Sequence, residues 1–418
     1  MGITFITIKA VITALIITIP LLLLLVHRWR VGNIIIPTAG VVYAAALLPV
    51  AYLLSTIFAS NKFSALLNIN FNTDSLVIVT LGFLAMLSTI LIGINKTYFK
   101  NINIYKLIIY LISVVLTLFT VKVLWQLITS ELPVWLSSIN LVGSWVDISA
   151  MLALLISMLM GGKILKLGGR YSRVFMVIIV TLLTLCLVVF VNVISIIAIL
   201  ALVSAMQIIS VIYKNREVAS SKVLFIIPAI VLVISGVFTV DNTMLNSKIS
   251  TTLQNWTKIS FVDVRPNWQG TLTVAKGTVV DSDITAKLFG PGVGSFEDQW
   301  RLYKPISVNS TQFWDTNFSY AIGFIPTSII TGGIIVFVAW AALFLMLLKL
   351  LIRNNKSNVA YPVLFIWLFM LFNPVDYILL IIAFILTGLL VVESINKNMT
   401  KSVKYRLRGE DMHKTITQ

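Results

Sequence analysis

The residues best suited to chemistry lie in one polar stretch, from about Asp241 to Tyr320, in an otherwise apolar chain. The stretch combines arginines, aromatic side chains, glycines and carboxylates. Its densest parts read RPNW (265–268), LFGPGVGSF (288–296), QWRLYKP (299–305) and FWDTN (313–317). This composition indicates a binding or catalytic site rather than a tether between helices.

Two arginines of this stretch, Arg265 and Arg301, are candidates for binding an anion, because a guanidinium presents a planar fork of donors. Trp268, Trp300 and Tyr303 flank them. Aromatic rings beside cations and acids are suited to holding sugar rings and phosphates. The alternative is that both arginines are ordinary solvated loop charges, and the sequence leaves the two interpretations open.

Asp315 and Asn317 precede an apolar run that starts near Ser319. One interpretation is structural, because Asp and Asn are favoured helix caps. The other is chemical: a carboxylate at the membrane edge could accept a proton from an acceptor hydroxyl. Both interpretations remain open from the sequence.

The glycines of the GPGVG segment, residues 290–294, could suggest a phosphate-binding turn. No predicted strand precedes them, so the strand–turn–helix context of a dinucleotide site is missing. We therefore predict a tight turn that requires positive φ angles.

Composition places the chain in a membrane. It is 59% hydrophobic with mean hydropathy +1.00 and 11% charged residues, which excludes a soluble globule. The net charge of +16 falls in short breaks between apolar runs, where it sets topology, so we do not predict a nucleic-acid partner. The single cysteine can form no internal disulfide, and the two histidines leave little room for a histidine metal site.

Runs of about 18 or more apolar residues predict an all-α polytopic membrane protein with about eleven transmembrane helices. The predicted helices are 8–26, 34–58, 75–94, 107–129, 141–161, 174–191, 193–213, 223–240, 319–348, 359–373 and 375–393. The last two are short and could instead form a re-entrant pair around Asn373-Pro374.

Lysine and arginine concentrate in alternate breaks and in the tail, whereas the breaks near 59–74, 130–146 and 373–376 contain only Lys62. The bias predicts a cytoplasmic-membrane protein with its amino terminus outside and its carboxyl tail in the cytoplasm. The predicted organisation is an N-terminal bundle of about eight helices (1–240), a large extracytoplasmic loop (241–320), about three C-terminal helices (321–394) and a basic cytoplasmic tail (395–418).

Lys122 and Asp147 are charges within otherwise uncharged spans. Such charges are costly in lipid and usually pair or serve a site. Lys122 could instead extend its ammonium to the outer interface. Pairing with Asp147 and binding of a lipid diphosphate are the competing interpretations.

The motif order resembles the O-antigen ligase/polymerase family. That family shares an arginine, a tryptophan, a G-x-G-x-x-x-F-like turn, and an asparagine before a glycine-containing apolar helix. Here these positions are Arg265, Trp268, the 290–296 turn, Asn317 and the following helix with Gly323 and Thr331-Gly-Gly333. The resemblance covers residues 265–340, about a fifth of the chain.

The resemblance implies a glycosyltransferase of the GT-C type that works in cell-surface polysaccharide biosynthesis. It would move a glycan from an undecaprenyl-diphosphate carrier to a lipid, protein or glycan acceptor, without a metal or other cofactor. Arg265 would contact the diphosphate and, together with Arg301 and Lys122, would neutralise the leaving group. Asp315 would orient or deprotonate the acceptor.

Two departures from the family pattern matter. Family ligases carry a histidine just before the asparagine, where this chain has Trp314-Asp315-Thr316. Either Asp315 has taken that role, or acceptor activation differs, or catalysis is lost. The family also has twelve helices rather than about eleven.

Two alternatives to a ligase remain. A polymerase of repeat units belongs to the same class. A non-enzymatic exporter of lipid-linked saccharide would be expected to place polar groups near the midplane in repeated halves.

Overall fold

The computed structural model describes residues 2–67, 74–95, 145–160, 193–214, 222–244, 247–257, 264–354, 359–397, 402–406 and 415–417, with single positions at 181, 185, 188 and 357. The chain divides into two compact units. Unit 1 comprises Met1–Lys100, Arg265–Asn354 and Met370–Gln418, and unit 2 comprises Asn101–Val264 and Asn355–Phe369. The polar stretch from Arg265 onward thus folds with the first hundred residues, far away in sequence.

The described chain is almost entirely helical. Its α-helices are α1 (Gly2–Val31), α2 (Gly40–Phe58), α3 (Lys62–Leu67), α4 (Leu76–Asn95), α5 (Trp145–Met160), α6 (Ile194–Lys214), α7 (Lys222–Met244), α8 (Lys248–Thr257), α9 (Trp268–Ala275), α10 (Ile284–Phe289), α11 (Phe296–Tyr303), α12 (Phe324–Arg353), α13 (Ala360–Phe372) and α14 (Tyr377–Asn396). A π-helical turn (Lys276–Val280) follows α9, and a 3₁₀ turn (Ile306–Ser310) follows α11.

Seven of the described helices are long and apolar enough to cross a membrane: α1, α2, α4, α6, α7, α12 and α14. Lipid offers the backbone no hydrogen-bonding partner, so these apolar runs must satisfy their own N–H and C=O groups as helices. The protein is therefore an all-α multi-pass membrane protein. Two apolar helices, α5 and α13, are shorter. The predicted helices 107–129 and most of 174–191 lie outside the described residues.

Two helices start five or six residues later than predicted. The helix predicted from residue 34 begins at Gly40, because residues 33–37 form a strand, β1 (Asn33–Pro37). The helix predicted from 319 begins at Phe324 and continues to Arg353. In both cases apolar residues before the helix are held by contacts with distant segments, which hydropathy alone does not distinguish from a span.

A three-stranded antiparallel sheet joins the end of α1 to the basic tail. Its strands are β1, β2 (Ser402–Arg406) and β3 (Thr415–Thr417), in the order β1-β2-β3. Asn33 pairs with Arg406 and Pro37 with Ser402. The β-branched run Ile34–Ile36 suits a strand. The pairing places the link between α1 and α2 on the same side of the membrane as the tail.

In unit 1, the membrane helices α2 and α12 pack along each other, and α14 packs along α4. Glycines let α4 and α14 approach closely. A Cβ on Gly82 would lie 2.5 Å from the Phe384 ring, and one on Gly388 would lie 3.0 Å from the Met86 carbonyl oxygen. Small residues at such contacts are the usual means of helix packing in lipid.

Unit 2 contains α5, α6, α7 and α8. The amide of Gln207 on α6 donates to the carbonyl of Met160 at the end of α5, at 2.7 Å. The buried carboxylate of Asp241 near the end of α7 accepts from the backbone N–H groups of Ile249 and Ser250, both at 3.0 Å. Asp241 therefore binds the first turn of α8 to the last turn of α7.

Candidate functional site

The segment from residue 264 to residue 323, called the polar segment below, folds as short helices against the membrane helices of unit 1. Its own core contains Val274, Phe296 and Trp300, which pack with Ala321 and with Ile330 of α12. Two side chains cap its helices: Asn267 accepts from the Gly270 N–H at the start of α9, and Asp283 accepts from the Ala286 N–H at the start of α10. The segment is thus a folded body attached to a membrane helix.

The glycine turn, residues 290–294, has positive φ at all three glycines: 72° at Gly290, 116° at Gly292 and 78° at Gly294. The prediction of a tight turn that needs positive φ is confirmed. The turn follows helix α10 directly and leads into α11, so the element immediately before it is a helix and not a strand. Only glycine occupies these backbone conformations without a steric cost.

The glycine turn fits against a break in α12. Gly333 has φ 70° and ψ −164°, so the helix is interrupted there. The carbonyl of Thr331 accepts from the Gly292 N–H at 3.1 Å. A Cβ on Gly290 would lie 2.0 Å from that carbonyl oxygen, and a Cβ on Gly333 would lie 2.5 Å from the Gly290 nitrogen. Two backbones therefore touch without intervening side chains.

A buried carboxylate, Asp74, connects the glycine turn to three membrane helices. One of its oxygens accepts from the Thr331 hydroxyl at 2.7 Å and from the Gly294 N–H at 3.1 Å. The other accepts from the Tyr52 hydroxyl of α2, also at 3.1 Å. Asp74 lies two residues before α4 and is 1% exposed. Burial raises the pKa of the Asp74 carboxyl, and the hydrogen bonds from Thr331, Gly294 and Tyr52 oppose that rise without cancelling it.

The sequence interpretation missed this cluster. In the sequence Asp74 lies in a short break between two predicted spans. Its signal was its position, since it is an acid placed directly before an apolar run without a lysine or arginine beside it. Such an acid must be solvated, paired or hydrogen-bonded. The donors, however, come from residues that no local spacing rule could identify.

Arg265 joins the start of the polar segment to the ends of two helices. One terminal nitrogen of its guanidinium donates to the carbonyls of Ile322 (3.0 Å) and Phe372 (2.5 Å) and to the side-chain oxygen of Asn373 (2.8 Å). Ile322 lies just before α12, and Phe372 ends α13. Arg265 thus holds these ends together and is itself partly buried beside them.

Arg301 and Asn317, two other predicted site residues, are brought together. The Arg301 Nε donates to the Asn317 side-chain oxygen at 3.1 Å, and its terminal nitrogen contacts Glu297 at 2.5 Å. Nearby, the Lys304 ammonium donates to the Trp314 carbonyl. The two basic side chains of α11 and its C-cap therefore fix the path of residues 314–317 across the surface.

The three predicted aromatic contacts behave differently. Trp300 is 2% exposed, donates its indole N–H to the Thr316 carbonyl at 3.2 Å, and packs edge-on against Phe318. It belongs to the core, so the prediction that it contacts a ligand is wrong. Trp268 is 46% exposed and meets Phe372 edge-on. Tyr303 is 37% exposed and covers Gly277. Trp268 and Tyr303 remain accessible.

Asp315 is exposed and does not cap a helix. The following helix begins at Phe324, its N-cap is Gly323, and no side chain caps it. The capping interpretation of Asp315 and Asn317 is therefore wrong, because the chain runs irregularly for several residues before α12. The chemical interpretation of Asp315 stays a prediction.

The intramembrane pair predicted from sequence is only half described. Asp147 is buried in the first turn of α5. Lys122 lies outside the described residues, so its contact with Asp147 or with a diphosphate stays a prediction. Among the described side chains, no group of three or more His, Cys, Asp or Glu is placed to hold a metal ion.

A search against protein-family models and a search of curated proteins find no match to this chain.

Proposed function

We propose that the protein is a membrane glycosyltransferase that moves a glycan from a polyprenyl-diphosphate carrier to an acceptor hydroxyl. The observation that carries the proposal is the position of Arg265. This cation sits where the polar segment meets the ends of α12 and α13. A lipid-linked diphosphate has its charged group at the same kind of boundary, between the end of a span and water.

The proposed reaction breaks the bond between the glycan's anomeric carbon and the diphosphate oxygen, and forms a bond from that carbon to the acceptor oxygen. Negative charge grows on the departing diphosphate. A guanidinium held in advance at that place stabilises the charge without having to reorganise. The contacts of Arg265 with carbonyl oxygens orient the cation.

The proton of the acceptor hydroxyl goes to a carboxylate, for which we propose Asp315. It is exposed, and Arg301 fixes Asn317 two residues away. A base so positioned contributes about 10²–10⁴ in rate. The accessible rings of Trp268 and Tyr303 are the proposed contacts for sugar.

The test uses the purified full chain in nanodiscs with a synthetic polyprenyl-diphosphate-linked saccharide. Release of polyprenyl diphosphate together with a glycosylated acceptor supports the proposal. Repeat units joined to each other would identify a polymerase. Movement of intact donor between leaflets without bond cleavage would identify an exporter and overturn the proposed function.

A further inference from the structure

Helix lengths place the start of the glycine turn at one boundary of the hydrocarbon layer. Roughly 20 residues of α12 follow the break at Gly333, which at about 1.5 Å per residue equals one hydrocarbon thickness. The 19-residue helix α2 ends at Phe58, near the same level by length. The glycine turn contacts both points: the Ser60 N–H donates to the Pro291 carbonyl at 3.3 Å, and Gly292 touches Ala59.

Helix α10 is attached at this boundary by an aromatic stack. The ring of Phe289, its last residue, lies 4.0 Å from the ring of Phe58 with an angle of 18° between the planes. Helix α10 therefore does not project away from the membrane helices. It lies beside the end of α2 and against α12.

Helices α10 and α3 each present an apolar face that the described part of unit 1 leaves exposed. Ile284 and Leu288, spaced i, i+4 on α10, are 75% and 44% exposed. Phe63 and Leu66, spaced i, i+3 on α3, are 57% and 40% exposed. These spacings place each pair on one side of its helix. At the end of α2, Ile57 and Phe58 are exposed as well, at 52% and 49%.

We propose that α3 and α10 form an interfacial anchor that inserts the side chains of Phe63, Leu66, Ile284 and Leu288 into the outer boundary of the surrounding bilayer. The occupant of these faces is bilayer lipid rather than a protein, because α3 contacts α2 and α10 contacts both α2 and α12, two helices long and apolar enough to cross a membrane. Lys62 and Lys287 lie beside the apolar residues. Their apolar stems can remain at the boundary while the ammonium groups reach the headgroups.

The anchor holds the polar segment on the membrane surface whatever reaction the protein performs. Its test therefore needs no substrate. In a Cys186→Ser chain reconstituted in phosphatidylethanolamine–phosphatidylglycerol nanodiscs, cysteine replaces Ile284, Leu288 or Phe63 one at a time and is labelled with the environment-sensitive dye NBD. Ile306→Cys is the matched control, since Ile306 is an apolar residue of the same segment, 85% exposed and outside the anchor.

Blue-shifted emission, and loss of intensity when the lipids carry a doxyl quencher near the glycerol end of the acyl chain, are expected at 284, 288 and 63 and not at 306. Emission and quenching at 284 and 288 equal to those at 306 would overturn the proposal. Labels that are shielded from aqueous iodide but insensitive to doxyl lipid would also overturn it, because a protein and not lipid would then cover the face.

Discussion

The backbone N–H of Gly294 donates to the carboxylate of Asp74 across 220 positions of sequence. The same carboxylate oxygen accepts from Thr331 of α12. Asp74 thus fixes the glycine turn, the break in α12 and the start of α4 to one another. Several properties of the protein should depend on this carboxylate.

Asp74→Ala should destabilise the protein strongly. It removes the acceptor of the Tyr52 hydroxyl and the Gly294 N–H, and each unsatisfied buried group costs about 1–3 kcal/mol. The Thr331 hydroxyl can still donate to the Thr327 carbonyl at 3.0 Å. Asp74→Asn should be milder, because an amide oxygen can still accept from Gly294 and Thr331. Thermal unfolding in detergent measures both. An Asp74→Ala protein that unfolds at the parent temperature would show that the cluster does not stabilise the fold.

Stability should depend on pH through Asp74. Burial raises its pKa in the folded protein, so its contribution is fully present below the ordinary aspartate pKa of about 3.9 and is lost as the pH rises through the raised value. The parent should therefore lose stability relative to Asp74→Asn as the pH rises through this window. If the unfolding temperatures of the two proteins change equally with pH, the prediction is contradicted.

Gly290→Ala should prevent the glycine turn from meeting α12. The new Cβ would lie 2.0 Å from the Thr331 carbonyl oxygen, at a residue with φ 72°, and the left-handed conformation alone costs about 1–2 kcal/mol. Gly236→Ala is the matched control, because a Cβ there meets nothing within 4 Å. It should leave the unfolding temperature unchanged or raise it, as expected for alanine in a helix. Equal unfolding temperatures for the two variants would argue against the contact.

Arg265→Lys should lower both stability and transfer, since an ammonium keeps the charge but loses the planar fork. Arg301→Lys is the comparison. Its ion pair with Glu297 is exposed, and exposed pairs contribute little to stability. Unfolding temperature and the KM for the lipid-linked donor should both change in Arg265→Lys, and the unfolding temperature should hardly change in Arg301→Lys. Full activity of Arg265→Ala at equal protein level would remove Arg265 from the site.

Asp315→Asn should slow transfer by about 10²–10⁴ without changing stability, if Asp315 is the base. Loss of a helix cap cannot explain such an effect, because the N-cap of α12 is Gly323. Single-turnover rates with the donor prebound provide the measurement. Transfer at the parent rate would make Asp298 or Glu297 the next carboxylate to test.

A phosphatase fused near Ser282 should be active outside the cytoplasm, and one fused after Arg408 should be inactive. The lysine and arginine bias gives this orientation, and the sheet requires that the tail and residues 33–37 share one side. Activity of the fusion after Arg408, with none near Ser282, would invert the orientation and remove the proposed site from an outer-leaflet donor.

Hydropathy predicted most of the membrane helices because lipid forces apolar runs to be helical. The glycine turn was equally predictable, since residues with positive φ are usually glycine. The strand at Ile34–Ile36 was not predictable, because a short β-branched run beside a span reads as part of the span. Only its partner, near residue 404, identifies it as a strand.

The candidate site was less predictable, because its residue types have two uses. Trp300 was expected to contact a sugar, yet it lies i+4 from Phe296 on the buried side of α11. The i, i+4 spacing of these two aromatic residues was the signal in the sequence that Trp300 is buried. Arg265 is predicted at a diphosphate, which stays a prediction, and its contacts with three acceptors around α12 and α13 show that it positions the chain.

The β1–β2 pairing also imposes an order on biosynthesis. A ribosome makes Ile34–Ile36 directly after α1, whereas their partners Val403–Tyr405 come only after α14 has been made. Throughout synthesis of the intervening helices, β1 has no strand to pair with. The sheet therefore closes late. A chain interrupted anywhere before residue 402 leaves three adjacent isoleucines without their partner strand. Quality-control proteases could distinguish such a truncated chain from the finished protein.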